Sequence, residues 1–170
     1  VGWYVMRAGQ VYMAVNTSQN GSGGWGLHAH NDTLSFELVD GRRAFVVDPG
    51  SYVYTGDYRA RNVFRATASH NTVQVDTHEM NRIPARDMFR LNNDICVTVH
   101  QWGSDSIRLW LEAEYVSRAA GREILYHRRK FEYFLQERYW LLTDSAGYCD
   151  GRIPNELSAC FHFAALPVQL

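Results

Sequence analysis

Two histidines one residue apart, His28 and His30, open the stretch LHAHNDTLSFEL from Leu27 to Leu38. An imidazole changes charge near neutral pH and binds divalent metals, so such a pair can move protons or hold a cation. On extended backbone, side chains at i and i+2 share a side, which would turn both rings to one site. The Gly-rich run NGSGGWG, Asn20 to Gly26, would leave that site uncrowded, because glycine lets backbone and ligand come close. Downstream, Asp48 precedes Pro49-Gly50, and His70 stands at the mouth of NTVQVD. Two histidines and a carboxylate on neighbouring strands are a sound ligand set for zinc, with His30, Asp48 and His70 as the ligands. Plainer readings stand beside this one: Asp48 also suits a turn before Pro-Gly, and His28 a surface position.

A second group of candidates lies between Tyr52 and Arg65. Tyr52, Tyr54 and Tyr58 alternate there with Arg59, Arg61 and Arg65. Guanidinium pairs bidentately with carboxylate or sulfate, and tyrosine rings pack on sugar faces, so the loop suits an anionic sugar. Trp25, Tyr54 and Arg65 are the expected substrate contacts; an ordinary solvated loop with rim ion pairs is the alternative. The charge run His127-Arg128-Arg129-Lys130 reads as an exposed strand face. His78, His100 and His162 read as structural.

The elements that must position these residues are strands. Period-two patterning predicts strands at 3–8 and 10–16, split at Gly9, and at 34–38, where Leu34, Phe36 and Leu38 alternate with Ser35 and Glu37. Asp40-Gly41 predicts a hairpin returning through 44–48, which would set Asp48 opposite 33–35. Further strands are expected at 71–76, 88–92, 95–101, 107–116, 124–134, 139–144 and 157–164, with a helical turn at most in the loop 52–68. Strands at this spacing predict an all-β fold, an antiparallel β-sandwich of supersandwich or jelly-roll type.

Composition narrows the classes. The chain has 170 residues, enough for one domain with a sizeable core, and a formal net charge of −1, so nothing suggests non-specific nucleic-acid binding. Its three cysteines form no CxxC pair, so neither a disulfide scaffold nor a thiolate metal site is expected. No apolar run approaches the roughly 20 residues of a membrane helix. A start at Val1 and an apolar end, FHFAALPVQL, read as the ends of a piece of a longer protein.

The ordered motifs HAHNDTLSFEL, AFVVDPGSYVY and NVFRATASHNTVQVD together resemble the heparinase II/III-like polysaccharide lyases, with looser agreement through HRRKF and YWLLTD. That resemblance implies a C-terminal β-sandwich over 1–170 whose N-terminal (α/α) toroid lies outside this chain. It implies β-elimination at a uronic acid of an acidic polysaccharide, such as a glycosaminoglycan or alginate, in a periplasmic or secreted setting. It also implies a structural zinc on His30, Asp48 and His70, with His28 projecting into the cleft as the domain's share of catalysis. Most of the remaining catalytic groups would come from the toroid, so the isolated chain is expected to be inactive. Asp32 and Asn71 are expected to orient the ligands or tie their loops. Two alternatives remain: a non-catalytic carbohydrate-binding sandwich, and a cupin-like metal enzyme, whose glutamate spacing after HxH neither Asp32 nor Glu37 meets.

Overall fold

Apolar alternation decides which face of each strand is covered. In β1 (Trp3–Ala8) and β2 (Val11–Asn16), Met13 and Val15 are wholly buried, and Met6 lies opposite Met13 in the ladder. With β3 (Phe36–Asp40) and β4 (Arg43–Val46) they make a sheet in the order β1-β2-β3-β4. The computed structural model describes residues 2–20 and 25–165. After α1 (Tyr58–Phe64) and a 3-10 turn at Thr67–Ser69 comes the short β5 (Val73–Val75). Four long strands then form a second sheet, β6-β7-β8-β9: β6 (Ile95–Ser104), β7 (Arg108–Ala119), β8 (Arg122–Phe134) and β9 (Tyr139–Tyr148). Finally β10 (Leu157–Ala159) pairs with β5. Every named strand pairing is antiparallel, as the patterning predicts.

The second sheet presents one apolar face to two cores. Between the four-stranded sheets, Met6, Met13, Val15 and Phe36 meet Leu111 and Phe131. Beyond them, Leu34, Val75 and Met80 meet Ile95, Ala113 and Tyr115. Leu34 was expected to open a strand and share a face with Phe36. It instead takes a left-handed φ of 64°, which is costly for a branched side chain and starts the strand two residues later. The chain turns there, so Leu34 and Phe36 fill different cores.

Three other expectations give way. Residues 88–92 form no strand: the Asp87 carboxylate accepts from the backbone N–H groups of Phe89 and Arg90, a local turn that competes with a ladder. The one ladder-type pairing of that stretch among the described residues is an isolated bridge, Leu27 to Arg90. The final strand is shorter than 157–164 because the chain changes partners. After β10 leaves β5, Val47 N–H donates to His162 O at 2.9 Å and Ala164 N–H to Phe45 O at 3.0 Å, which covers the outer edge of β4. A register shift at Leu38/Val39 pairs Leu38 with Val46, so β4 ends two residues before Asp48.

The run His127 to Lys130 is not an exposed face. Strand alternation sends His127 and Arg129 fully inward, while the Arg128 side chain stays 43 % exposed on Glu112. Arg129 Nε and Nη2 grip Asp144 at 2.6 and 3.0 Å, and Nη1 donates to Leu34 O at 3.0 Å and Asn71 O at 2.6 Å. His127 Nε2–H donates to the same Asp144 at 2.8 Å. Burial holds the His127 imidazole below the ordinary histidine range. Burial alone would raise the Asp144 carboxyl, but hydrogen bonds from His127 and Arg129 hold it well below the usual carboxylate range.

Both shifts act in one direction. The folded state binds fewer protons than the unfolded chain in acid, so stability falls as pH drops below about 6.5, first through His127 and later through Asp144. Urea midpoints at pH 7 and 5 should show that fall, and His127→Gln, which retains a donor, should reduce it and leave the share of His30, whose imidazole burial also holds down. Arg129→Met should cost roughly 3–5 kcal/mol by orphaning two carbonyls and a carboxylate. Arg128→Ala, next door, should cost under about 1 kcal/mol.

Candidate functional site

The HAHND segment is a pinned loop. Leu91 N–H donates to Gly26 O at 3.0 Å and His28 N–H to Phe89 O at 2.7 Å, which lashes the segment to residues 89–91. Gly26, at φ 67°, packs so close that a Cβ would collide with the Leu91 carbonyl and the Asn20 amide. His28 also takes a left-handed φ, 54°. The i, i+2 pleat argument therefore fails, although both imidazoles line one cleft of about 430 Å³, with Trp3, Asp32 and Ser51 among its walls. Residues 21–24 of the Gly-rich approach lie outside the described residues.

His28 is the exposed member, its ring 5.3 Å from that of Phe89 and 6.0 Å from that of Tyr54. His30 is half-buried and faces the interior. Arg61 Nη1 donates to His30 Nε2 at 3.0 Å, and the His70 ring lies 5.2 Å away. Burial pulls the His30 imidazole down to about 4, with His70 and Arg61 adding to the effect. Its neutral form, protonated at Nδ1, is the one that accepts from Arg61. Asp32, partly covered beside it, is pushed up to about 6 by the same cause.

His70 is fully buried, and its Nδ1–H donates to Asp48 Oδ2 at 2.9 Å. Burial alone would raise the Asp48 carboxyl, but the hydrogen bond and charge of His70 and the Gly50 N–H bring it below its ordinary value. The three expected ligands thus gather in one place. Among the described residues no three His, Cys, Asp or Glu side chains stand ready-made around a cation. One atom nevertheless fits a metal: His70 Nε2 is buried and has no hydrogen-bond partner. A carboxylate on one nitrogen of an imidazole whose other nitrogen is unpaired is the usual support for a metal-binding histidine.

The loop after Asp48 holds the helix α1, where the sequence predicts a helical turn at most. Asp57 caps α1, accepting from Arg59 N–H at 2.8 Å and Ala60 N–H at 3.1 Å. Arg61 and Arg65, four residues apart, share the inward face and are both buried. Arg65 is consequently no sugar contact. Its guanidinium donates to Arg90 O at 2.9 Å, to Pro84 O at 3.2 Å and to Asp87 O, clasping the 84–90 loop. Trp25 and Tyr54 remain open, 71 % and 55 % exposed. Arg61 matters more than sequence reading indicated: it touches His30 and lies 5.2 Å from the Tyr54 ring centroid. The Asp57 cap with arginines at helical spacing was the signal for it. Asn71 is wholly buried and donates to Phe36 O and Val47 O while accepting from His162 N–H at 2.7 Å.

The sandwich thus carries a cleft lined by two histidines, with the open rings of Tyr54 and Trp25 in the same region of sequence. The chain belongs to the heparinase II/III-like family, whose C-terminal domain, "Heparinase II/III-like, C-terminal", matches residues 1–166. It is 34 % identical over 86 residues to a heparin-sulfate lyase of Pedobacter heparinus, covering 46 % of this chain and 12 % of that protein. The crystal structure of heparan sulfate lyase HepC from Pedobacter heparinus superposes with a TM-score of 0.61 and 25 % identity, covering 85 % of this chain and 21 % of that one. Heparinase III shares the fold, with a TM-score of 0.67 at 19 % identity over 98 % of this chain and 24 % of its own. The chain therefore spans under a quarter of these relatives.

Gly26→Ala tests how far the cleft depends on the lashed loop. It forces both a strained φ and a clash with backbone, so it should cost at least about 2 kcal/mol in urea unfolding and speed proteolysis within 84–92.

Proposed function

We propose that this chain is the C-terminal sandwich domain of a lyase that cleaves a uronate-containing polysaccharide by β-elimination, with His28 as its share of the catalytic centre. The observation that carries the reading is the cleft itself. One exposed imidazole stands beside open Tyr54 in a wall whose other histidine is engaged by Arg61. The identity to a heparin-sulfate lyase supports the substrate class.

In the elimination, the proton at C5 of the uronate leaves to a base, the C4–O bond breaks, a C4–C5 double bond forms, and the departing oxygen takes up a proton. The adjacent carboxylate must be neutralised throughout. His28, whose ring has no hydrogen-bond partner among the described residues, can hold or hand on one of those protons, while Tyr54 and Trp25 pack against the sugar. Among the described residues no facing wall completes the constellation. A toroid on the N-terminal side, in a periplasmic or secreted protein, is the proposed source of the base and the carboxylate neutraliser.

The same reading assigns a zinc ion to His30, Asp48 and His70; to ligate it, Asp48 would swing off His70 Nδ1 and Arg61 would release His30 Nε2. Bound there, zinc would act as a structural clamp between the HAHND loop, the end of β4 and the approach to β5. The orphaned His70 Nε2 is the support for it.

Protein purified without added metal should contain about one zinc per chain, and His70→Ala should lose it and melt earlier. A metal-free wild type would end the zinc assignment without touching the lyase reading. The lyase reading is tested by the ultraviolet absorbance of the unsaturated uronide product over several uronate polymers. The 170-residue chain alone should give none. In the full-length protein, His28→Ala should lose roughly a hundredfold in rate. A variant as fast as wild type would remove His28 from the mechanism.

A further inference from the structure

A second groove, of about 520 Å³, opens where β1 faces the turn between β6 and β7. Its walls include Trp3, Tyr4, Trp102 and Trp110, with Arg7 at its side. Trp102 is 67 % exposed on an edge strand, braced edge-on by Tyr4 at 5.6 Å between ring centroids. The Trp110 ring lies against Gly103: a Cβ there would stand 2.9 Å from the indole, so glycine is what lets the ring lie close. Folding gains little from leaving a large indole in water, and exposed aromatic patches of this kind mark binding surfaces.

We infer that this groove is an outer sugar subsite, which takes the continuation of the same uronate chain that occupies the histidine cleft. The inference rests on the lyase reading above and deepens it. Trp3, 58 % exposed, is a wall of both the histidine cleft and this groove, so a chain leaving one passes over the same indole into the other. Charge agrees with an anionic occupant. No aspartate or glutamate lines the groove, whereas Arg7 does. Among the described residues Arg7 makes no salt bridge and lies over the Tyr12 ring, at 5.1 Å from its centroid. Flat aromatic rings meet the C–H faces of sugars, and a nearby guanidinium meets a carboxylate or sulfate.

The experiment compares the full-length protein with Trp102→Ala for binding to size-defined uronate oligosaccharides, from disaccharide to decasaccharide, by calorimetry. Wild-type affinity should rise with length beyond the sugars held in the cleft. Trp102→Ala should lose roughly tenfold more affinity for the longest chains than for the disaccharide, the scale of a stacked tryptophan anchor. Trp102→Phe should keep most of the gain. Should Trp102→Ala fail to fold, exposed Arg7→Gln takes its place, with the same length-dependent loss expected. Equal loss at every length, or none, overturns the subsite. So does a change in oligomeric state on losing Trp102, which would mark the groove as a contact between copies. A wild type that binds uronate chains of no length would instead bring down the lyase reading beneath it.

Discussion

Arg129 carries one positive charge into the dry centre of the molecule, and four segments converge on it. Its guanidinium holds Asp144 of β9 side-on, then reaches across to the carbonyls of Leu34 and Asn71. Those two carbonyls belong to the stretches that present His30 and His70. A flexible ammonium could not serve here, because only the planar fork can donate in several fixed directions at once. The rings of Phe36, Phe131 and Phe161 surround it at 5.8 to 5.9 Å from its carbon, so the cation meets aromatic faces where it does not meet oxygen. The spacing between the sandwich and the histidine loops is therefore set by a polar contact, and the apolar cores fill in around it.

A second polar knot repeats the idea nearer the cleft. Glu79 accepts from Thr67 N–H, from its hydroxyl and from Asn31 Nδ2. Asn31 and Asn81 exchange hydrogen bonds at 2.8 and 3.1 Å. The residue that follows His30 is thus tied to the approach to β6, and the residue that follows His70 is tied to β3 and β4. Irregular backbone without its own ladder needs such partners when buried. The asparagines supply donors and acceptors where regular strands cannot.

β1, β2, β7 and β8 were legible from their aromatic and β-branched residues, and their bounds, Trp3–Ala8, Val11–Asn16, Arg108–Ala119 and Arg122–Phe134, fall within three residues of those expected. The family was legible in three ordered motifs, and the gathering of His30, Asp48 and His70 followed from them. What sequence hid was local backbone. Nothing in the string marks Leu34 as left-handed, since leucine avoids that region, and so the division of the core at Leu34 and Phe36 was invisible. His127 and Arg129 were misread because charge argues for exposure, while the period of two argues for burial on alternate positions. There the period won, because Asp144 on the neighbouring strand compensates the charge. Arg65 was misread for a similar reason: carbonyls from a loop twenty residues on satisfy it, and no local pattern announces them.

The last described residues have a consequence for where a C-terminus can be placed. Residues 162–164 lie along β4 as a surrogate strand, filling hydrogen-bonding groups that would otherwise face solvent at a sheet margin. A boundary drawn after β10, where the regular strands finish, would strip that cover and leave a bare ladder next to exposed Phe45. Unpaired margins of that sort recruit other chains into intermolecular sheets. The sensible terminus is set by hydrogen bonding at β4, several residues beyond the last named strand, and soluble expression is the property most sensitive to it.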